Sequence, residues 1–151
     1  MKDTRLTSLD DLFKALADPT RLRILGLLAG GEICVCNIHS CLGIPQPGAS
    51  RHLAYLRKKG LVLTRKDGLW VHYKVAPLDD AVMRALMGTI THCLCHVESI
   101  AKDRQRLQAQ TGCCAPNVVD TGLECCRPLK GSKRRKGRQN LRKSKAVRDL
   151  S

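Results

Sequence analysis

This chain of 151 residues, 43% of them apolar, allows one domain with tails, and its 3% of aromatic residues argues against a stacking platform for single-stranded nucleic acid. The net charge of +14 is uneven, because residues 127–151 hold 11 Lys/Arg and one acidic residue. The remainder is therefore only mildly basic. No apolar run approaches the roughly 18 residues that a membrane span requires, so we expect no membrane partner.

Four helices are predicted before residue 60. The first begins at a capping Thr7 or Ser8 and ends where Pro19 interrupts its apolar repeat. The second helix starts at this proline or the next residue and ends at a glycine pair. A short third helix is predicted over residues 34–42, and a fourth helix over residues 46–59.

The spacing of apolar residues changes after the fourth helix from a helical to an alternating pattern. Two strand-like runs flank Asp67-Gly68, and an Asp-Gly pair between alternating apolar residues is a strong hairpin signal. Helix, helix, helix-turn-helix and hairpin in this order predict a mainly α fold with a β-hairpin wing, which is a winged helix-turn-helix.

A final long helix is predicted over residues 78–110. Its apolar stripe advances in steps of three and four residues and comprises Val82, Leu86, Ile90, Cys93, Val97 and Ile100. A stripe this long at the end of a small domain favours packing against a second copy, so we expect a homodimer. Packing within the same chain is the alternative.

The chain accordingly divides into three segments. Residues 1–110 are predicted to form the winged helix-turn-helix DNA-binding and dimerisation domain. We expect residues 111–126 to form a flexible, cysteine-rich segment, and residues 127–151 to form a disordered basic tail, because the tail has few large apolar side chains. The tail either binds nucleic acid without specificity or only keeps the chain solvated.

The fourth helix is the predicted DNA-reading helix. Polar side chains crowd its first two turns, the part of a recognition helix that enters the major groove. Basic side chains near its end and in the wing are better placed for phosphates. The predicted DNA-binding residues are Gln46, Ser50, Arg51, His52, Tyr55, Arg57, Arg65 and Lys66. For any one of them, an ordinary solvated position is the alternative.

The segment "GEICVCNIHSCLGIPQPGASRHLAYLRKKGLVLTRKDGLWVHYKVAP" resembles the ArsR/SmtB family of metal-responsive winged-helix repressors, and "LADPTRLRILGLLAGGE" resembles that family's second helix. The resemblance covers residues 16–77. It implies a homodimer joined through its first and last helices, operator double-stranded DNA as the partner, and release of that DNA when metal binds.

Nine cysteines are the second unusual feature. The first twenty residues lack the apolar core of a signal peptide, so we expect a cytoplasmic protein with reduced thiols. Clustered thiols then indicate metal binding or redox chemistry. No Gly-rich or Arg-bearing loop follows any cysteine, as a thiol-dependent reductase would need, so we expect neither an enzyme nor a small organic substrate.

Cys34 and Cys36 form a Cys-x-Cys pair at the start of the third helix. Two adjacent soft thiolates select thiophilic ions such as trivalent arsenic, cadmium, lead or zinc. "EICVCN" resembles the "ELCVCD" box of arsenic- and cadmium/lead-type members, onto whose cysteines this pair maps. His39 stands where that box has its third cysteine. Cys41 lies about two turns from Cys34, too far to share its ion, and is predicted to pack in the core.

Arsenite prefers three thiolates, whereas methylated arsenite needs only two. Candidates for a further ligand are His39, His92, Cys93, Cys95, His96, Cys113 and Cys114. We therefore predict a repressor that releases its operator when trivalent arsenic, as arsenite or methylarsenite, binds cysteine thiolates. Two alternatives stay open: a cadmium-, lead- or zinc-responsive repressor of the same family, and a thiol redox sensor.

Overall fold

A computed structural model describes residues 3–110 of the chain. Its elements, in chain order, are α1 (Thr4–Leu16), α2 (Pro19–Leu28), β1 (Ile33–Cys34), α3 (Val35–Leu42), α4 (Gln46–Lys58), β2 (Val62–Asp67), β3 (Trp70–Val75), α5 (Ala81–Cys95) and α6 (Glu98–Ala109). The predicted segments 111–126 and 127–151, with Cys113 and Cys114, lie outside the described residues. None of the helices described here is long and apolar enough to cross a membrane.

Aspartate caps begin the first two helices. The carboxylate of Asp3 accepts hydrogen bonds from backbone N–H groups in the first turn of α1. The predicted cap at Thr7 or Ser8 is wrong, because both residues lie inside α1 and donate their hydroxyls to carbonyl oxygens one turn back. Asp18 caps α2, and Pro19 occupies the first turn of that helix, as the sequence predicted.

The helix-turn-helix is formed by α3 and α4. Gly43 ends α3 with φ +66°, a left-handed conformation that glycine adopts without strain. Ile38 and Leu42 of α3 share one buried core with Leu53 and Leu56 of α4. The two helices are therefore packed directly against each other.

The predicted hairpin is confirmed, and it belongs to a three-stranded antiparallel sheet of order β1-β3-β2. Asp67 is paired with Trp70 across the turn, in which Gly68 has φ +58°. The sequence did not predict β1, which has only two residues and therefore no alternating pattern. Because Cys34 belongs to β1, α3 begins one residue later than predicted.

The core is aliphatic, as the composition implies. Its largest fully buried side chains are Leu12, Ile24, Leu25, Leu27, Leu28, Ile33, Ile38, Leu53, Leu56, Leu61, Val62 and Ile100. Removing each from water contributes roughly 1.5–3 kcal/mol. These residues come from five of the six helices and from two strands, so the wing and the helices share one core.

The prediction of one long final helix is wrong. The chain leaves helical geometry at Val97, whose φ of −83° and ψ of 122° are extended, and α6 starts anew at Glu98. The break lets α6 pack against α2 and α3. Ile100, placed by the sequence in a stripe facing a second copy, is instead buried against Gly26 of its own chain.

Candidate functional site

The thiols of Cys34 and Cys36 lie next to each other where β1 joins α3. Cys34 is the last residue of β1 and the N-cap of α3, and Cys36 stands in the first turn of the helix. Their Sγ atoms are 2.9 Å apart. Cys34 is 1% exposed, whereas Cys36 is half-buried, so a ligand reaches the pair from the side of Cys36.

This geometry fits one thiophilic ion. Two sulfur atoms bound to one ion at about 2.3 Å with near-tetrahedral angles lie roughly 3.8 Å apart, so these two thiols, now 2.9 Å apart, need to separate by only about 0.9 Å. Thiolate sulfur is also the donor that soft ions prefer. The two-residue spacing therefore places two suitable ligands together before any ion arrives.

A third ligand is not assembled in the described part of the chain. Residues 3–110 contain no group of three His, Cys, Asp or Glu side chains placed to hold a metal ion, so His39 does not complete a site with the thiol pair. Cys41 is 0% exposed in the core, where the sequence predicted it. Burial, and secondarily the charge of Asp103, raises the pKa of Cys41 to about 11 and keeps this thiol protonated.

The candidates on the last helices are also not arranged as a metal site. The rings of His92 and His96 meet edge to face with centroids 5.2 Å apart. The Cys95 thiol donates to the carbonyl oxygen of Thr91 at 3.2 Å, and Cys93 is exposed. The thiol pair of β1 and α3 is therefore the best-formed ligand site among the described residues.

The outer face of α4 is polar and open. Gln46, Arg51 and Arg57 are exposed, and Ser50 is half-buried. The opposite face of the helix is anchored in the core, which holds this polar face outward. Such a helix can donate to base edges and to phosphates.

Two predicted DNA-binding residues on α4 already have intramolecular contacts that the sequence did not reveal. The guanidinium of Arg21 lies 4.5 Å from the centre of the Tyr55 ring, within cation–π distance. His52 places its Nδ1 atom 3.7 Å from an oxygen of Asp18. Both contacts fix α4 on the N-terminal end of α2, and the residues involved are too far apart in sequence to be paired by periodicity.

The wing carries a second contact that the sequence did not reveal. Arg65 donates from Nε and Nη2 to one oxygen of Glu32, at 2.9 and 2.6 Å, and from Nη1 to Asp67 at 3.3 Å. The hydrogen bonds from Arg65 are the main cause that lowers the pKa of Glu32. Lys66 is exposed at the same strand end.

A helix-turn-helix followed by a β-hairpin wing, with an open polar face on its second helix, defines a winged helix-turn-helix protein. A family model described as "Bacterial regulatory protein, arsR family" matches residues 18–64. The chain belongs to this arsR family, whose members are regulators and not enzymes.

Individual relatives support this assignment. An arsenical resistance operon repressor of Escherichia coli (strain K12) is 57% identical over 67 residues, which are 44% of this chain and 57% of the relative. The repressor of the same description from Staphylococcus aureus is 36% identical over 91 residues, 58% of this chain and 88% of the relative. The chain thus spans less than two thirds of the E. coli relative.

A solved structure shares the fold. The homodimeric winged helix-turn-helix DNA-binding domain of a possible ArsR-family transcriptional regulator from Mycobacterium bovis matches with a TM-score of 0.51 and 34% identity. The match covers 65% of this chain and 94% of that chain.

Proposed function

We propose that this chain is a transcriptional repressor that binds operator DNA as a homodimer and releases it when trivalent arsenic binds Cys34 and Cys36. The observation that carries this proposal is the 2.9 Å separation of the two sulfur atoms at the start of α3. The helix that follows α3 is the candidate DNA-reading helix. Relatives named as arsenical resistance operon repressors point to arsenic among the thiophilic ions.

The packing of α3 on α4 supplies a route from the thiols to the DNA. Cys34 and Cys36 must both turn their sulfur atoms toward a shared ligand, which constrains the first turn of α3. Ile38 and Leu42 pass a shift of α3 to α4 through the shared core. Release requires that the ligand bind the free protein more tightly than the DNA-bound protein, and a coupling of roughly 1–3 kcal/mol is typical.

We propose that the dimer forms through α1 and α5. Large apolar side chains of these helices are exposed in the single chain: Leu6 is 66%, Phe13 57% and Val82 50% exposed. Leu9 and Met83 line a groove between the two helices. Covering such a surface with a second copy removes apolar area from water. Sedimentation of the full chain tests this, and Phe13→Asp is expected to give monomers.

The remaining roles follow from DNA binding. We propose that residues 1–110 form the DNA-binding and dimerisation domain, that the basic residues 127–151 add non-specific affinity, and that the protein works in the cytoplasm. Truncation at Arg127 is expected to reduce binding to unrelated DNA more than binding to the operator, because binding to unrelated DNA depends mainly on the charge of the tail.

Fluorescence anisotropy of the full chain on its own upstream promoter DNA tests the function. Arsenite, methylarsenite, cadmium and zinc are added in turn under reducing conditions. Release at low concentrations of arsenite or methylarsenite is the expected result, and a preference for the methylated form indicates a site of two thiolates. Release by cadmium or zinc alone contradicts the arsenic assignment, as does release by peroxide without metal.

A further inference from the structure

The thiol pair and the wing are joined through one row of the sheet. Cys34 of β1 pairs with His72 of β3, and His72 pairs on its other side with Arg65 of β2. Residues directly opposite each other in antiparallel strands project from the same face of the sheet. Cys34, a proposed arsenic ligand, and Arg65, a predicted DNA contact, therefore stand at the two ends of one cross-strand row.

Glu32 bridges the ends of this row. It lies two residues before Cys34, and its carboxylate holds Arg65 at 2.6 and 2.9 Å. Its Oε1 atom is also 3.9 Å from Nδ1 of His72. The side chain of Glu32 is 20% exposed and that of Arg65 is 49% exposed, so only the carboxylate side of this contact is shielded from the water and salt that weaken surface ion pairs.

The contact works against DNA binding by Arg65. The guanidinium carries one positive charge and lies between the carboxylates of Glu32 and Asp67, so the three side chains together carry −1. Each of these carboxylates competes with a DNA phosphate for the one positive charge of Arg65. Three of the five N–H groups of the guanidinium are also already donating.

We propose that Glu32 is a positioning residue that competes with the DNA backbone for Arg65 and so connects the thiol pair to the wing; this rests on the proposed function. Arg65 must leave Glu32 to reach a phosphate, and that step breaks the contact that joins β2 to the residue just before β1. When Cys34 and Cys36 hold one ion, the end of β1 is fixed and Glu32 stays on Arg65. Ion binding and operator binding then oppose each other.

The salt dependence of operator binding tests the competition. The full chain and its Glu32→Gln variant are titrated onto operator DNA between about 50 and 200 mM salt, with anisotropy as the readout. Trp70, the single tryptophan of the chain, stands at the tip of the wing and reports wing contact by its fluorescence. Glu98→Gln is the matched control, since it makes the same charge change on an exposed site of α6.

Glu32→Gln is expected to bind more tightly than Glu98→Gln. The slope of log K against log salt should be steeper by about 0.9 for each additional phosphate that the protein neutralises. Adding Arg65→Gln should abolish this increase in affinity. Arsenite should lower the operator affinity of Glu32→Gln by a several-fold smaller factor than that of the unaltered chain.

Equal slopes for Glu32→Gln and Glu98→Gln overturn the proposal and leave the proposed function standing. Failure of the unaltered chain to bind its operator overturns the proposed function and this inference with it. Glu32→Asp is a second variant, used in case Glu32→Gln does not fold properly. It keeps the negative charge, but its shorter side chain reaches Arg65 less well. It is expected to show the same steeper slope, and an unchanged slope contradicts the competition.

Discussion

The buried ion pair between α2 and α6 makes a sharp prediction about stability. Asp103 is 1% exposed and accepts hydrogen bonds from Nε and Nη2 of Arg23, both at 2.7 Å. Asp103→Asn keeps the shape but leaves the Arg23 charge without its partner. Breaking a fully buried pair costs about 3–5 kcal/mol. Because the Arg23 side chain is 29% exposed, water relieves part of that penalty, and we expect a loss of about 2–3 kcal/mol.

Urea unfolding followed by circular dichroism measures this loss, at one fixed protein concentration because the proposed dimer would make stability depend on concentration. For a domain of this size the melting temperature should fall by on the order of 10–20 °C. Glu98→Gln is the control on the same helix, since its pair with Lys102 is solvent-exposed and should contribute under about 1 kcal/mol. A loss below about 1 kcal/mol for Asp103→Asn would refute the reasoning.

Four further predictions concern the core, the Cys41 thiol and the DNA-reading face. Gly26→Ala would place a Cβ atom 2.6 Å from Cγ2 of Ile100 and should lower the free energy of unfolding in urea by about 1–3 kcal/mol. Ile100→Ala removes the clashing side chain, so it should destabilise the Gly26→Ala variant less than it destabilises the unaltered chain. Cys41, with its pKa raised to about 11, should resist iodoacetamide at pH 8 while exposed Cys93 reacts, as peptide mapping will show; equal labelling contradicts its burial. Since the folded Cys41 thiol keeps its proton to a higher pH than an unfolded one, stability should fall as the pH rises from about 9 to about 11. Arg51→Ala should weaken operator binding by about 1–3 kcal/mol with little effect on unrelated DNA, whereas equal weakening on both assigns Arg51 to the backbone.

Local signals in the sequence were enough to predict the helix-turn-helix and the wing. Asp18-Pro19 ends one helix and caps the next, and Asp67-Gly68 sets the hairpin, so neighbouring residues determine these boundaries. The break at Val97 was not predictable in this way. The break exists because α6 turns back onto α2 and α3. The spacing of apolar residues in the sequence does not distinguish a continuous helix from a broken one.

The candidate site was also predictable only in part. The Cys-x-Cys spacing at the start of a predicted helix placed Cys34 and Cys36 close together, and the structure confirms that their sulfur atoms are neighbours. The partners of charged side chains were not predictable. Arg65 meets Glu32 across 33 positions, and Arg23 meets Asp103 across 80, and only the folded chain brings these charges together.

The most direct test of the central claim is arsenite-driven release of operator DNA from single-cysteine variants, followed by anisotropy under reducing conditions. Cys34→Ser and Cys36→Ser are expected to bind the operator as the unaltered chain does but to stay bound when arsenite is added. Cys93→Ser, an exposed thiol on α5, is the control and should release normally. Release that persists in both Cys34→Ser and Cys36→Ser would contradict the account and place the arsenic site elsewhere.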